Sequence, residues 1–307
     1  MNSTPKAERP TGARLAILTA LALLAFAGNS LLCRAALSSS GLDAGAFTLI
    51  RLVSGACALG LFARPWKQRL HPRAGSWVAA VALIVYAGGF SWAYLHLTAG
   101  TGALLLFGAV QATMNLAAWA SGERPGPLAL AGLALAFTGL AVLVAPGLAA
   151  PPLGAALSML GAGVAWGIYS LRGRGSRDPL GETANHFIRA AFLAVVSFCV
   201  LALFGRQPSV EIQFLPLAYA VLSGAITSGI GYAIWYTALR GLAATRAALV
   251  QLAVPPLAAL GGTLLLGEVP TLRLIGASLL ILGGIAIGVT GRRASEVDSG
   301  LLRERRP

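Results

Sequence analysis

Gly122-Glu123-Arg124-Pro125 returns as Gly267-Glu268-Val269-Pro270, 145 residues further along. Behind the first copy stand Gly132, Gly139 and Gly147; behind the second stand Gly276, Gly283 and Gly291, each displaced by 144. The likeness extends upstream. Leu95 to Ala103 answers to Leu239 to Ala247 at the same displacement, and Ile50-Arg51 to Ile188-Arg189 at 138. Self-similarity in register over half the chain is the mark of a duplicated unit.

The solvent of that unit follows from composition. Hydrophobic residues make up 57% of the 307, charged residues 11%, and the mean hydropathy is +0.77. A water-soluble domain does not carry this balance, so the chain reads as an integral membrane protein. Apolar stretches near the ~20 residues needed to cross the hydrocarbon lie at about 13–33, 44–63, 76–96, 102–120, 127–145, 152–171, 185–204, 215–238, 243–266 and 272–290. These runs lack the alternation of a barrel strand, and the ten spans are expected to be helices whose backbone bonds close internally. The first span carries Asn29 and shows no cleavage site, so it reads as a helix and not as a leader. Cys33, Cys57 and Cys199 show no metal or disulfide spacing.

A formal charge of +13 might point to nucleic acid, but its placement does not. With the N-terminus inside, 18 Lys and Arg fall on the cytoplasmic side; Arg34, Arg206 and Arg273 fall on the other, and Arg51 and Arg189 lie within spans. That asymmetry is the positive-inside pattern for an even number of helices with both termini cytoplasmic. The charge reports topology, with some attraction to anionic lipid, and no nucleic-acid partner is expected.

Five spans form one copy. An odd count means that the copies enter the membrane from opposite sides, so the expected fold is all-α: ten transmembrane helices as two inverted five-helix repeats around a shared cavity. The expected divisions are a tail at 1–12, repeats at 13–147 and 148–291, and a tail at 292–307, with the polar ends irregular.

These features resemble the drug/metabolite transporter superfamily, specifically its ten-helix EamA-type exporters. The residues that carry the likeness are Ala27-Gly28-Asn29-Ser30 closing the first span, Arg51 in the second, the two Gly-Glu-x-Pro endings, and the glycine-ridged fifth and tenth spans. The resemblance implies a cavity lined by spans one, three, four, six, eight and nine, with five and ten at the periphery. It also implies a multi-pass exporter of small metabolites, amino acids and aromatic ones among them, in a bacterial-type inner membrane. One departure stands out: the family has a proline in both the fourth and ninth helices, whereas here the ninth keeps Pro255-Pro256 and the fourth has Gln111.

Polar groups at membrane depth are costly unless they meet partners or a cavity. Gln111, with Asn115 one turn on, and Gln251 before the prolines are candidates for substrate binding, the alternative being helix-to-helix hydrogen bonds. Tyr86, Trp92, Tyr94 and His96 in the third span, and Trp166 and Tyr169 in the sixth, offer stacking for an aromatic or cationic substrate or else fill the bundle. Asn29 joins this set. Pro255 and Pro256 would bend the ninth helix. Arg51 and Arg189 read as structural, Arg51 snorkelling to the nearer surface; the alternative for Arg51 is binding a substrate carboxylate, and its repeat mate Arg189 near the opposite surface favours the structural role. Glu123 and Glu268 read as structural groups at helix N-termini. Trp77, Trp119, Trp235 and Tyr236, near span ends, read as interfacial anchors.

No catalytic, metal or cofactor motif is present. The chain has no His-Glu-x-x-His, no Gly-x-Ser-x-Gly and no intramembrane aspartate pair, so an enzyme is disfavoured. The function expected is alternating-access export of amino acids or similar amphipathic metabolites. A multidrug pump for lipophilic cations is the alternative, for which an embedded carboxylate is missing. For energy, either facilitated diffusion or proton coupling through Glu123, Glu268 or His96 is open.

Overall fold

The computed structural model describes residues 10–38, 42–63, 75–120, 122, 126–147, 150–173, 176, 178–204, 213–242, 247 and 250–304, with side chains up to 288. Glu123, Arg124 and Pro125 lie outside the described residues. Among the described residues, eight helices are long and apolar enough to cross a membrane: α1 (Gly12–Ser38), α2 (Ala44–Ala63), α3 (Trp77–Tyr94), α4 (Ala99–Ala120), α5 (Pro127–Val144), α6 (Leu153–Gly173), α7 (Pro179–Leu203) and α8 (Phe214–Leu239). Two more, α9 (Val254–Leu266) and α10 (Leu272–Glu304), have shorter apolar segments.

Local chemistry explains most boundaries. Pro127 and Pro179 occupy the first turns of α5 and α7, where the missing N–H costs nothing. Asp178 caps α7 by accepting from the Gly181 N–H at 3.0 Å. Gly267 adopts φ 66° at the end of α9, and the Glu268 N–H returns to the Gly262 carbonyl at 3.0 Å, a left-handed termination that glycine permits.

Two expectations need correction. The ninth span is not one helix over 243–266. A turn at Leu252 and Ala253 precedes α9, which starts afresh at Val254 with Pro255 in its first turn. The proline ring removes an N–H and crowds the preceding turn, so the helix restarts. By contrast α4 runs unbroken through Gln111. The polar segment after 291 is not irregular either: α10 continues to Glu304, with no proline to stop it before that point.

Small residues decide which helices meet. A Cβ added at Gly132 of α5 would collide with the Gly284 carbonyl and the Gly288 amide of α10, so these two helices touch backbone to backbone. Gly163 and Gly167 of α6 pack on Leu106, Ala109 and Thr113 of α4 in the same manner. Gly55 of α2 and Gly224 of α8 form a third close crossing. Other extensive contacts are α3 with α6 and α7, α2 with α7, α1 with α8 and α9, and α4 with α9. Large apolar side chains such as Leu61, Leu203, Leu264 and Leu279 face outward, as a lipid-facing surface requires.

Candidate functional site

The interior of the bundle holds a cluster of aromatic and hydroxyl groups that begins with one unusual stretch of backbone. Ser223–Ile230 in the middle of α8 is π-helical. The i→i+5 bonding winds extra residues into each turn, and Ser223, Thr227 and Ser228 thereby reach a single acceptor. Their hydroxyls donate to Asn29 Oδ1 at 2.7, 3.4 and 3.2 Å. Glycines frame this stretch: a Cβ at Gly224 would strike Ser54 Oγ and the Arg51 carbonyl, so the close approach of α2 and α8 there needs glycine.

That approach brings Arg51 into the cluster. Its Nε donates to Ser228 Oγ at 2.9 Å, and its Nη2 donates to the hydroxyls of Tyr86 and Tyr232 at 3.1 and 2.8 Å. The guanidinium also lies over the rings of Tyr86 and Phe90, 5.0 and 4.9 Å from their centroids. Arg51 is 1% exposed. It does not snorkel to a surface, because the hydroxyls of α3 and α8 solvate it inside the bundle. Asn29 Nδ2 donates to Tyr86 (3.2 Å) and Tyr232 donates to Tyr86 (3.0 Å), closing a network that spans α1, α2, α3 and α8.

Aromatic rings wall the network on the α6 side. Trp166 lies 4.5 Å from Tyr232, 5.0 Å from Tyr86 and 5.7 Å from Phe26, and it stacks on Tyr169 at 5.3 Å. Tyr169 stacks in turn on Tyr236, and Trp235 meets Phe26 at 5.5 Å. Trp235 and Tyr236 are each 0% exposed, which corrects their reading as interfacial anchors: their helix turns them inward beneath α1 and α6. Trp77, by contrast, is 55% exposed and carries Arg189 over its ring at 5.1 Å. Arg51 and Arg189 match in sequence but occupy unlike surroundings.

Of the residues singled out in the sequence, Asn29, Tyr86, Trp166 and Tyr169 come together. Gln111 and Asn115 do not join them. The Leu106, Ala109 and Thr113 side of α4 faces α6, while Gly108, Gln111 and Asn115 line a narrow cavity with Gly132, Ala136 and Phe137 of α5 and Gly284, Ile285 and Gly288 of α10. Gln251 is buried, its Nε2 donating to the Ala247 carbonyl at 3.2 Å. Tyr94 is buried below Phe90 and donates to the Ala99 carbonyl at 3.2 Å. Trp92 is 44% exposed and meets His96 edge-on at 5.7 Å, and His96 borders a surface cleft with Thr98, Thr101 and Thr271. Pro255 is buried and Pro256 exposed. Sequence reasoning missed Phe26, Ser223, Thr227, Ser228 and Tyr232. Three hydroxyl residues in mid-span were the available signal for α8.

Glu268 sits at the end of the bundle where α3 ends and α4 begins. Its Oε1 accepts from Arg34 Nε at 3.1 Å and its Oε2 from the Ala99 N–H at 2.9 Å. Arg34 Nη1 donates to the carbonyls of Tyr94 and Leu95 at 3.0 and 3.3 Å. The carboxylate does serve a helix N-terminus, but that of α4, in the other half of the chain, and not that of the helix that follows it.

Comparison with known proteins fits this arrangement. The sequence pattern of the EamA-like transporter family matches residues 153–290. The chain is 53% identical over 286 residues to an uncharacterised protein of Pseudomonas aeruginosa, covering 92% of this chain and 98% of that one. The chain belongs to the EamA-like transporter family. It is also 28% identical over 270 residues to a "Probable terminal-alkyne amino-acid exporter" of Streptantibioticus cattleyicolor, covering 85% of this chain and 90% of that one. A protein of known crystal structure shares the fold at a TM-score of 0.64 and 20% identity, over 91% of this chain and 98% of that one. As an EamA-like protein with eight spanning-length helices, it is a multi-pass membrane transporter.

Proposed function

We propose that this EamA-like protein exports amino acids or similar amphipathic metabolites by alternating access, and that Asn29, Tyr86, Trp166 and Tyr169, with Tyr232 from α8, contact the substrate. The observation that carries the reading is the buried polar network of α1, α2, α3 and α8 walled by the aromatic rings of α6. Hydroxyl and amide groups placed together deep in an apolar bundle are expensive to maintain and mark transport pathways. The relative named as an amino-acid exporter supports the substrate class.

Alternating access follows from the duplicated sequence read as two inverted five-helix units. The contacts support that reading. α1 lies against α8 and α9 as α6 lies against α3 and α4, and the pairs α2–α7, α4–α9 and α5–α10 meet their own counterparts. An inverted pair of units exchanges conformations across the membrane, opening one end as the other closes. In the orientation set by the basic loops, both termini face the cytoplasm of a bacterial-type inner membrane and the Arg34–Glu268 pair closes the external end. Among the described residues no carboxylate belongs to the central network, so the simplest energy source is the substrate gradient itself.

The test is uptake of a labelled amino-acid panel, phenylalanine and threonine included, by the purified protein in liposomes, with and without an imposed pH gradient. Saturable flux without the gradient is expected. No flux of any amino acid in either condition overturns the reading, and flux only with the gradient overturns facilitated transport.

A further inference from the structure

The buried groups left without partners in the central cluster are mainly N–H donors, beside the Tyr169 hydroxyl, which can donate as well as accept. Arg51 Nη1, Trp166 Nε1 and Trp235 Nε1 are enclosed and make no hydrogen bond. Each is an N–H donor. Native interiors seldom leave such groups unpaired, since each costs roughly 1–3 kcal/mol and more where charged. What is lacking beside the aromatic wall is therefore acceptor atoms.

Charge gives the same answer independently. Arg51 makes no ion pair among the described residues. Its hydrogen-bonding partners are three hydroxyls, of Ser228, Tyr86 and Tyr232. Glu268, in the turn after α9, is engaged by Arg34 and the Ala99 N–H. Hydroxyls solvate a guanidinium but do not neutralise it, and a buried charge without a counter-ion is the costly arrangement that proteins avoid. A guanidinium fork is matched in shape by an anion with planar oxygens, such as a carboxylate. The Tyr86 hydroxyl accepts from Arg51, Asn29 and Tyr232, and its own proton is the one such an anion would accept.

From these observations we infer that Arg51 anchors the carboxylate of the transported substrate, whose aromatic or apolar body lies against Trp166, Phe26 and Tyr232. The inference rests on the central cluster being the transport site. It makes the ligand a zwitterionic amino acid or an aryl carboxylate, and it excludes lipophilic cations, which would meet Arg51 charge to charge without an acid to offset it.

The experiment uses four probes that share one ring: phenylalanine, 3-phenylpropionate, phenylalaninamide and phenethylamine. Their binding to the purified wild-type protein in nanodiscs is measured by calorimetry. Phenylalanine and 3-phenylpropionate are expected to bind at least about tenfold more tightly than the two probes lacking a carboxylate, as loss of a charge-assisted pair requires. Arg51→Gln should erase that preference and Arg51→Lys should retain part of it. If Arg51→Gln does not fold, the wild-type series decides alone. Equal or tighter binding of phenethylamine overturns the assignment. Liposome counterflow separates the two levels of the argument. Flux of tetraphenylphosphonium but not of phenylalanine would leave a transporter and overturn the anchor, whereas carboxylate-selective binding without any flux would uphold the anchor and overturn the transport reading.

Discussion

Trp166 is the residue on which most of the central cluster leans, since it touches Phe26, Tyr86, Tyr169 and Tyr232. Trp166→Ala would remove both the wall and a buried N–H. It is expected to reduce phenylalanine flux by about tenfold or more, equivalent to ~1.4 kcal/mol of lost interaction or greater, with the protein still monodisperse by size exclusion. Gln111→Ala, on the α5 and α10 side of α4, should leave flux within about threefold, a change under ~1 kcal/mol; a larger loss would return Gln111 to the pathway. That contrast also shows what could be read from sequence. Tyr86, Trp166 and Asn29 were legible because a polar or aromatic group in mid-span has few places to go. Gln111 was not, because α4 is apolar on every face, and without amphipathic contrast a single helix gives no rotational phase. The snorkelling expected of Arg51 fails for another reason: its depth was judged by distance along its own span, whereas the hydroxyls that keep it inside come from α3 and α8.

At the scale of elements, the glycine pattern that revealed the repeat is also what holds it. Gly132 and Gly284 lie at the centre of the α5–α10 contact, each within reach of the other's backbone. In lipid there is little hydrophobic drive between helices, so close van der Waals contact carries the association. Gly132→Val should separate the two backbones and lower stability by roughly 1–3 kcal/mol, the usual cost of overpacking, read as a fall in melting temperature in detergent. Gly276→Val serves as the control, because a Cβ there meets nothing within 4 Å; equal losses in both would remove the glycine contact as the cause. Helix positions were the most legible feature of the chain, eight of ten spans appearing as expected in kind. The exceptions have physical sources. The break before Val254 depends on how the chain satisfies the carbonyls ahead of Pro255 and Pro256, and the π-helical turn of α8 depends on Gly224 meeting α2. Neither is encoded by apolar content.

For the whole molecule, the alternating access proposed above has one end of the bundle close while the other opens, and on that reading the Arg34–Glu268 pair holds one end shut. It links α1 to the end of α3, the start of α4 and the turn after α9 with four hydrogen bonds. In sequence, Arg172 and Glu123 stand 138 and 145 residues from Arg34 and Glu268, Glu123 lying outside the described residues. Because the pair joins elements of both halves, its loss should shift the balance of states more than it unfolds the protein. Cys33 reports on this directly. It is adjacent to Arg34 and 0% exposed, whereas Cys57 and Cys199 are exposed. In a Cys57→Ser, Cys199→Ser background, a membrane-impermeant maleimide should label Cys33 slowly. Glu268→Gln should speed labelling by about three- to tenfold, which corresponds to ~0.6–1.4 kcal/mol taken from the closed state and is in keeping with a partly buried pair. Arg34→Met should do the same, and the double variant should add little beyond either single change, since both remove one interaction. Substrate added on the opposite side should slow labelling again if it favours the closed arrangement. Unchanged labelling in Glu268→Gln, with the protein folded, would mean that the pair is only a helix cap and that closure of this end is carried by the packing of α1 against α9.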